Sequence, residues 1–238
     1  MKSYLYPLAI TAMTLSLPVS AAIVSGDVLV FDVGPSASGS ETAGNWNNLS
    51  GSSSSVSPIT DAIRFSDGAS TGVGLALSGL LSGKVGIGGI DDVTGPSNFS
   101  SPGFIGSGAI PETAYQDLAY FSNEDGANSF TFSGLDNSLS YTLSFISRVN
   151  AGTERPSLTW DIGEGQASVA IDPENNTNIY SFSGLSTDGL GKLVVSIPIS
   201  GSDTAHLNAI ELIAIPEPSA FSLVMGFCVL SFLGLRRR

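Results

Sequence analysis

Residues 129–135 read Ser129-Phe130-Thr131-Phe132-Ser133-Gly134-Leu135, and residues 141–146 read Tyr141-Thr142-Leu143-Ser144-Phe145-Ile146. Large apolar and small polar residues alternate in both pieces. A β-strand sends successive side chains to opposite faces, so this period of two is the pattern of a half-buried strand. The intervening Gly134-Leu135-Asp136-Asn137-Ser138 carries the residue types of a turn. Ser129–Ser133 and Tyr141–Val149 are therefore predicted as strands. Working outward, Val28–Val33, Ala62–Ser66, Gly72–Ser78, Ser157–Ile162, Ala167–Ile171, Asn178–Phe182, Leu193–Ile199 and Leu207–Ile213 read the same way. Gly, Asn, Asp, Ser and Pro clusters separate them. Ala114–Phe121 is the one candidate for a short helix, and Ser50–Ser57 reads as a flexible low-complexity loop. The prediction is an all-β domain over residues 22–215, a single jelly-roll type β-sandwich.

One short form recurs. Leu75-Ala76-Leu77-Ser78-Gly79-Leu80, Phe130-Thr131-Phe132-Ser133-Gly134-Leu135 and Tyr180-Ser181-Phe182-Ser183-Gly184-Leu185 all read apolar-x-apolar-Ser-Gly-Leu. Each predicts a strand end, a glycine turn and a leucine folding back onto the core.

The chain has 238 residues and a formal net charge of 9 − 21 = −12. A chain this acidic repels the phosphate backbone, so no nucleic-acid partner is expected. A single cysteine, Cys228, excludes an intramolecular disulfide, and a single histidine, His206, excludes a multi-histidine metal site. Mean hydropathy is +0.27 although the middle of the chain is polar, so the apolar excess lies at the ends.

The first segment is Met1-Lys2, an apolar run from Tyr4 to Leu17, and Pro18-Val19-Ser20-Ala21-Ala22. That is a basic start, a hydrophobic stretch and a small-residue cleavage site, so residues 1–21 are predicted to be a signal peptide cut after Ala21. The last segment is Pro216-Glu217-Pro218-Ser219, an apolar run from Ala220 to Leu235, and Arg236-Arg237-Arg238. The run, residues 220–235, is predicted as a transmembrane helix about 24 Å long, with the arginines on the cytoplasmic side. The N-terminal signal helix and this C-terminal helix would flank the β-domain. Without the ends, the domain carries 5 − 20 = −15.

The order Pro216-Glu217-Pro218, apolar helix, Arg236-Arg237-Arg238 resembles the PEP-CTERM sorting signal. The resemblance implies an exported protein of a Gram-negative bacterium, held in the inner membrane until an exosortase-type enzyme processes it, then placed at the cell surface or in the extracellular matrix. The middle also resembles galactose-binding-like and malectin-like jelly rolls. The pieces are Phe31-Asp32-Val33-Gly34, Gly44-Asn45-Trp46-Asn47-Asn48, Phe132-Ser133-Gly134-Leu135, Tyr141-Thr142-Leu143, Ser147-Arg148 and His206-Leu207-Asn208-Ala209-Ile210-Glu211-Leu212. This likeness implies the fold first and sugar binding second.

Four residues are candidate ligand contacts: Trp46, Tyr120, Arg148 and Asn208. Trp46 lies among asparagines, where an indole can stack on a sugar ring and amides can bond hydroxyls; alternatively it closes the core while the asparagines shape a turn. Tyr120 and Arg148 are candidates for a cleft. The planar fork of Arg148 suits a carboxylate or a diol, or an acidic neighbour within the fold. Asn208 either binds ligand or anchors a loop. No cofactor is expected. Structural calcium is weighed at Asp91-Asp92 and at Asn123-Glu124-Asp125-Gly126, against the reading of solvated acidic turns. Asp203-Thr204-Ala205-His206 has the D-x-x-H spacing of SGNH-type esterases but lacks their Gly-Asp-Ser nucleophile. The chain is thus expected to be a non-enzymatic envelope or matrix protein with weak binding to extracellular polysaccharide. A polysaccharide-acting hydrolase and a purely structural coat are the alternatives.

Overall fold

A computed structural model describes residues 22–35, 41–52, 55–85, 103–116, 118–122, 128–148, 157–163, 168–173, 178–200 and 203–216. The expected signal peptide with its expected cleavage residue Ala21, the tail beyond Pro216, and both acidic calcium candidates lie outside those residues. So does Cys228. Among the described residues no helix is long and apolar enough to cross a membrane.

The described residues form an all-β fold whose sheets are open. The first layer is a six-stranded sheet. Its strands are β1 (Val28–Pro35), β2 (Asn47–Ser52), β3 (Ser55–Val56), β8 (Leu139–Ile146), β11 (Ile179–Leu185) and β14 (Ala209–Pro216). Their order is β11-β8-β14-β1-β2-β3. All pairs are antiparallel except β1 with β2, which run parallel from Phe31↔Asn47 to Pro35↔Gly51.

The second layer is built from three long strands, each interrupted at the same level. β4 (Gly74–Ser78) continues into β5 (Leu80–Val85) through Gly79. β6 (Ala119–Ser122) leads to β7 (Ser129–Ser133), and β12 (Leu193–Ser196) leads to β13 (Thr204–Leu207). β7 pairs with β4 and β12, while β6 pairs with β5 and β13. A two-stranded piece, β9 (Leu158–Trp160) with β10 (Val169–Ile171), joins β12 through the Asp161↔Ser196 bridge. The chain passes from the second layer to the first at Asn208, between β13 and β14.

Alternation explains where the core sits. Leu29, Phe31 and Val33 of β1, Tyr141, Leu143 and Phe145 of β8, and Ile210 and Leu212 of β14 face inward. They meet Leu75, Phe130, Phe132, Leu193 and Val195 of the second layer. Phe145 stacks on Trp160 at 5.0 Å, and Phe31 meets Phe132 edge-on at 5.5 Å. Such ring contacts add to the burial of large apolar area.

The outer face of the six-stranded sheet is also covered. Residues 103–116, which include the short helix α1 (Glu112–Gln116), lie across it. Phe104, Ile110 and Ala114 pack there with Val30, Trp46, Ile146 and Ala209. Glu211, fully buried on this face, accepts hydrogen bonds from the backbone N–H groups of Gly106 and Ser107 and from the Ser107 hydroxyl.

The three Ser-Gly-Leu pieces have left-handed glycines, with φ of 75° at Gly79, 72° at Gly134 and 74° at Gly184. Their uses differ. Gly79 bends one strand into the next, Gly134 opens the β7–β8 turn, and Gly184 sits in a bulge of β11. Leu135 and Leu185 are buried in the core.

Some expectations are corrected. Ala62–Ser66 is a tight turn with one bridge, Ile63↔Ser70, because Arg64 N–H bonds Ala69 O and Gly68 N–H bonds Arg64 O. Of the expected helical stretch Ala114–Phe121 only Ala114–Gln116 is helical, as the end of α1; its last part, Ala119–Phe121, is drawn into the second layer within β6 by pairing on both sides. The serine-rich loop at 50–57 contains the end of β2 and all of β3, since strand pairing uses backbone groups and tolerates small polar side chains. The last strand begins at Ala209 and reaches Pro216, one residue past the expected domain boundary.

Candidate functional site

The polar residues gather at one end of the six-stranded sheet. There β1 and β8 finish, β14 begins, and β2 starts beside β1.

Asp32 is the centre of this end. It stands on the outer face of β1, two residues after Val30, and is only 3 % exposed. Its Oδ2 accepts the Thr42 N–H at 3.0 Å, and the same N–H lies 2.9 Å from Asn48 Oδ1. Asn48 Nδ2 donates back to Thr42 O at 3.1 Å. The Thr42 hydroxyl lies 2.7 Å from that of Thr113, which ties the loop to the start of α1. Asp32 Oδ1 has no hydrogen-bond partner among the described residues. Burial pushes the Asp32 carboxyl up to about 6, outweighing the lowering by its bonds to Thr42, and the nearby Glu41 charge pushes the same way.

Asn208 occupies the crossover. Its Oδ1 accepts the Arg148 N–H at 2.7 Å, and its Nδ2 donates to Tyr115 O at 3.3 Å. One buried amide thus joins the end of β8 to α1. Arg148 is half-buried at the rim, and burial lowers its guanidinium below the ordinary range, with Tyr115 acting in the opposite sense. Of the four sequence candidates, Arg148 and Asn208 are brought together.

Trp46 and Tyr120 are placed elsewhere. Trp46 is buried in the outer apolar cluster, where Phe104, Ile110 and Ala114 belong to the covering segment. Its asparagine neighbours bond the backbone. Asn45 Nδ2 donates to Phe65 O, and Asn47 Nδ2 donates to Val30 O and Ile63 O while its Oδ1 accepts the Ile63 N–H. This is the core-closing arrangement of that tryptophan. Tyr120 is buried in β6, and its ring meets that of His206 edge-on at 4.8 Å.

The D-x-x-H spacing falls on and just before β13. Residues three apart on a strand point to opposite faces, and the neighbours of His206, Ala205 and Leu207, face the core. Asp203 and His206 therefore do not form a dyad along this strand. Among the described residues no group of three or more His, Cys, Asp or Glu is arranged to hold a metal ion.

Thr42 and Thr113 were not singled out from sequence, and Asp32, Asn48 and Glu211 entered only as parts of the quoted jelly-roll pieces. A signal existed for Asp32: it is the one charge inside the apolar run Val28-Leu29-Val30-Phe31-Asp32-Val33. A carboxylate in a strand buried on both faces must find donors.

No family model matches this chain, and no curated protein matches it. Among solved structures, one described as CpGH89CBM32-6 produced by Clostridium perfringens is similar at 15 % identity, over 40 % of this chain and 75 % of that chain, with a TM-score of 0.24.

Proposed function

We propose that the chain is an exported, non-enzymatic protein of the cell envelope or extracellular matrix. A signal peptide (residues 1–21) and a PEP-CTERM tail (residues 216–238) deliver a single β-sandwich of jelly-roll type to an exosortase-type enzyme. The domain binds carbohydrate weakly at the polar end of its six-stranded sheet.

The observation that carries the binding reading is Arg148 held at the rim by Asn208. A half-buried guanidinium with a fixed backbone loses little freedom on meeting a ligand, and its fork suits a sugar diol or carboxylate. The contact set is smaller than the sequence suggests, because Trp46 and Tyr120 are buried. Weak affinity follows, since no exposed indole at this end supplies stacking area.

Two measurements test this reading. In pull-downs of the recombinant domain with extracellular polysaccharide, Arg148→Ala should abolish binding while Trp46→Phe leaves it intact. No binding by the parent domain would favour the purely structural coat, and turnover of chromogenic glycosides or esters would favour a hydrolase. For sorting, alanines at Pro216, Glu217 and Pro218 should leave the chain unprocessed in the inner membrane. Unchanged fractionation would refute the tail reading.

A further inference from the structure

β4, β7 and β12 lie side by side in the second layer, and none of the three contains a charged residue. The domain around them carries 5 − 20 = −15. Leu75, Phe130, Phe132, Leu193 and Val195 of these strands face the core, so alternation turns their neighbours outward. Cross-strand register sets the outward residues in rows. Ala76, Thr131 and Val194 form one row, and Ser78, Ser129 and Ser196 form the next. Ala76, Ser78 and Ser196 are exposed, and Val194 is 39 % exposed. No side chain in either row is larger than valine, so the face is low and even. The Asp161↔Ser196 bridge continues it onto β9.

Two charges frame the rows. Lys192 is exposed two residues before Val194 and lies on the same face. Asp161 is exposed beside Ser196, two residues past Val194. Its Oδ1 accepts the Gly163 N–H at 3.3 Å. The cation and the carboxylate stand on either side of the central row, about 13 Å apart along the strand direction, too far to pair with each other.

We infer that this face is the contact between two copies of the chain, packed sheet on sheet around a two-fold axis along the row of Ala76, Thr131 and Val194. Such an axis lays each residue of that row over its own counterpart, with the strands of the two copies antiparallel and the small side chains interdigitating. It carries Lys192 of one copy over Ser196 of the other, beside the other copy's Asp161. The same pair forms again across the axis, so an ion pair closes each end. Charge selects a second copy as the occupant. Two domains of −15 repel through their acidic surfaces, and here they meet across uncharged rows with both signs matched at the edges. A sugar polymer needs a ring to stack on, and neither row has one. With β9 and β10, five strands at about 4.8 Å spacing bury roughly 1,000 Å² over both copies, the low end for a specific interface, so the dimer is weak and concentration-dependent. Arg148 follows β8 in the other layer and stays outside the contact.

The test uses the full chain in mild detergent, with Cys228→Ser removing the native thiol and Val194→Cys adding one on the axis. A short bis-maleimide should then join two copies through position 194. Leu190→Cys is the control. Leu190 is more exposed, at 80 %, but comes four residues before Val194, so the axis puts its two copies at opposite ends of the contact. Cross-linking at 194 should be at least about tenfold faster than at 190, because the interface raises the effective concentration of one thiol against the other. Adding Lys192→Glu should slow the reaction at 194 about tenfold, and adding Asp161→Lys as well should restore it. Equal rates at 190 and 194 overturn the dimer and leave the face to a different partner. A rate at 194 that ignores Lys192→Glu, or that the double reversal fails to restore, overturns the two-fold contact.

Discussion

Glu211 accepts the Ser107 N–H at 2.7 Å and the Ser107 hydroxyl at 2.9 Å, joining residues 104 positions apart. The Gly106 N–H lies 3.1 Å from each oxygen of the same carboxylate. A carboxyl group buried on the outer sheet face is matched by donors from the segment that buries it. The covering segment and the sheet therefore depend on one another.

Glu211→Ala leaves those donors without their acceptor and opens a cavity under the turn. The expected loss is about 2–4 kcal/mol. Glu211→Gln retains an acceptor oxygen and the shape, and should lose only about 1–2 kcal/mol. Chemical denaturation of both variants checks the order. Equal midpoints would contradict the anchoring role.

Asp32 sets a pH dependence. Its carboxyl is raised from 3.8 to about 6 by burial. Below about 3.8 both folded and unfolded chains hold the proton; between 3.8 and about 6 only the folded chain does. The contribution of this group to stability therefore rises as pH falls through that window, and is lost as pH climbs past about 6. The full amplitude is roughly 2–3 kcal/mol. Subtracting the stability of Asp32→Asn from that of the parent between pH 4 and 7 should expose this slope, and a flat difference would refute it.

The left-handed glycines should respond unequally. At Gly184 an added Cβ meets nothing within 4 Å, so Gly184→Ala carries only the backbone penalty, about 1–2 kcal/mol. At Gly134 the Cβ would fall 2.4 Å from Gly72 O, and at Gly79 it would fall 2.8 Å from Asn128 Cα. Those two substitutions must move backbone and should cost about 3 kcal/mol or more. Thermal melts of the three variants test the ranking, and Gly184→Ala as the most damaging would overturn it.

Tyr141 donates its hydroxyl to Asp136 O at 2.9 Å, closing the β7–β8 turn onto the core. Burial pushes its phenol up to about 12, so it remains a donor throughout the physiological range. Tyr141→Phe should lose about 1–2 kcal/mol while the ring packing is kept. An unchanged denaturation midpoint would show that water replaces the bond without cost.

Strands with their own alternating pattern were legible. Ser129–Ser133 matches β7, and Val28–Val33 falls within β1. Segments recruited by their neighbours were not. Ala119–Phe121 looked like the end of a helix, and becomes part of a strand because β5 and β13 flank it. Thr204–His206 was read within a D-x-x-H spacing and Leu207 as the start of the last strand; the four residues together form β13 because β6 lies alongside. Local propensity is a weak prior, and an available sheet edge outweighs it.

For the candidate site, Arg148 and Asn208 were singled out in the sequence, but not that the Asn208 side chain accepts the Arg148 N–H. It could not assign Trp46 to the interior, because the residues that cover it, Phe104, Ile110 and Ala114, lie more than fifty positions away in the chain.

The amino-acid sequence alone determined that the domain is all-β, that Gly79, Gly134 and Gly184 interrupt the regular strand pattern, and which side chains of β7 and β8 face inward. These follow from period-two alternation and the missing glycine Cβ, both local properties. Only the tertiary structure decided that the outer sheet face is covered, that Trp46 and Tyr120 are buried, and that Asp32 and Glu211 are carboxylates inside the protein. Burial depends on what distant parts of the chain pack against a residue, and no local pattern encodes that.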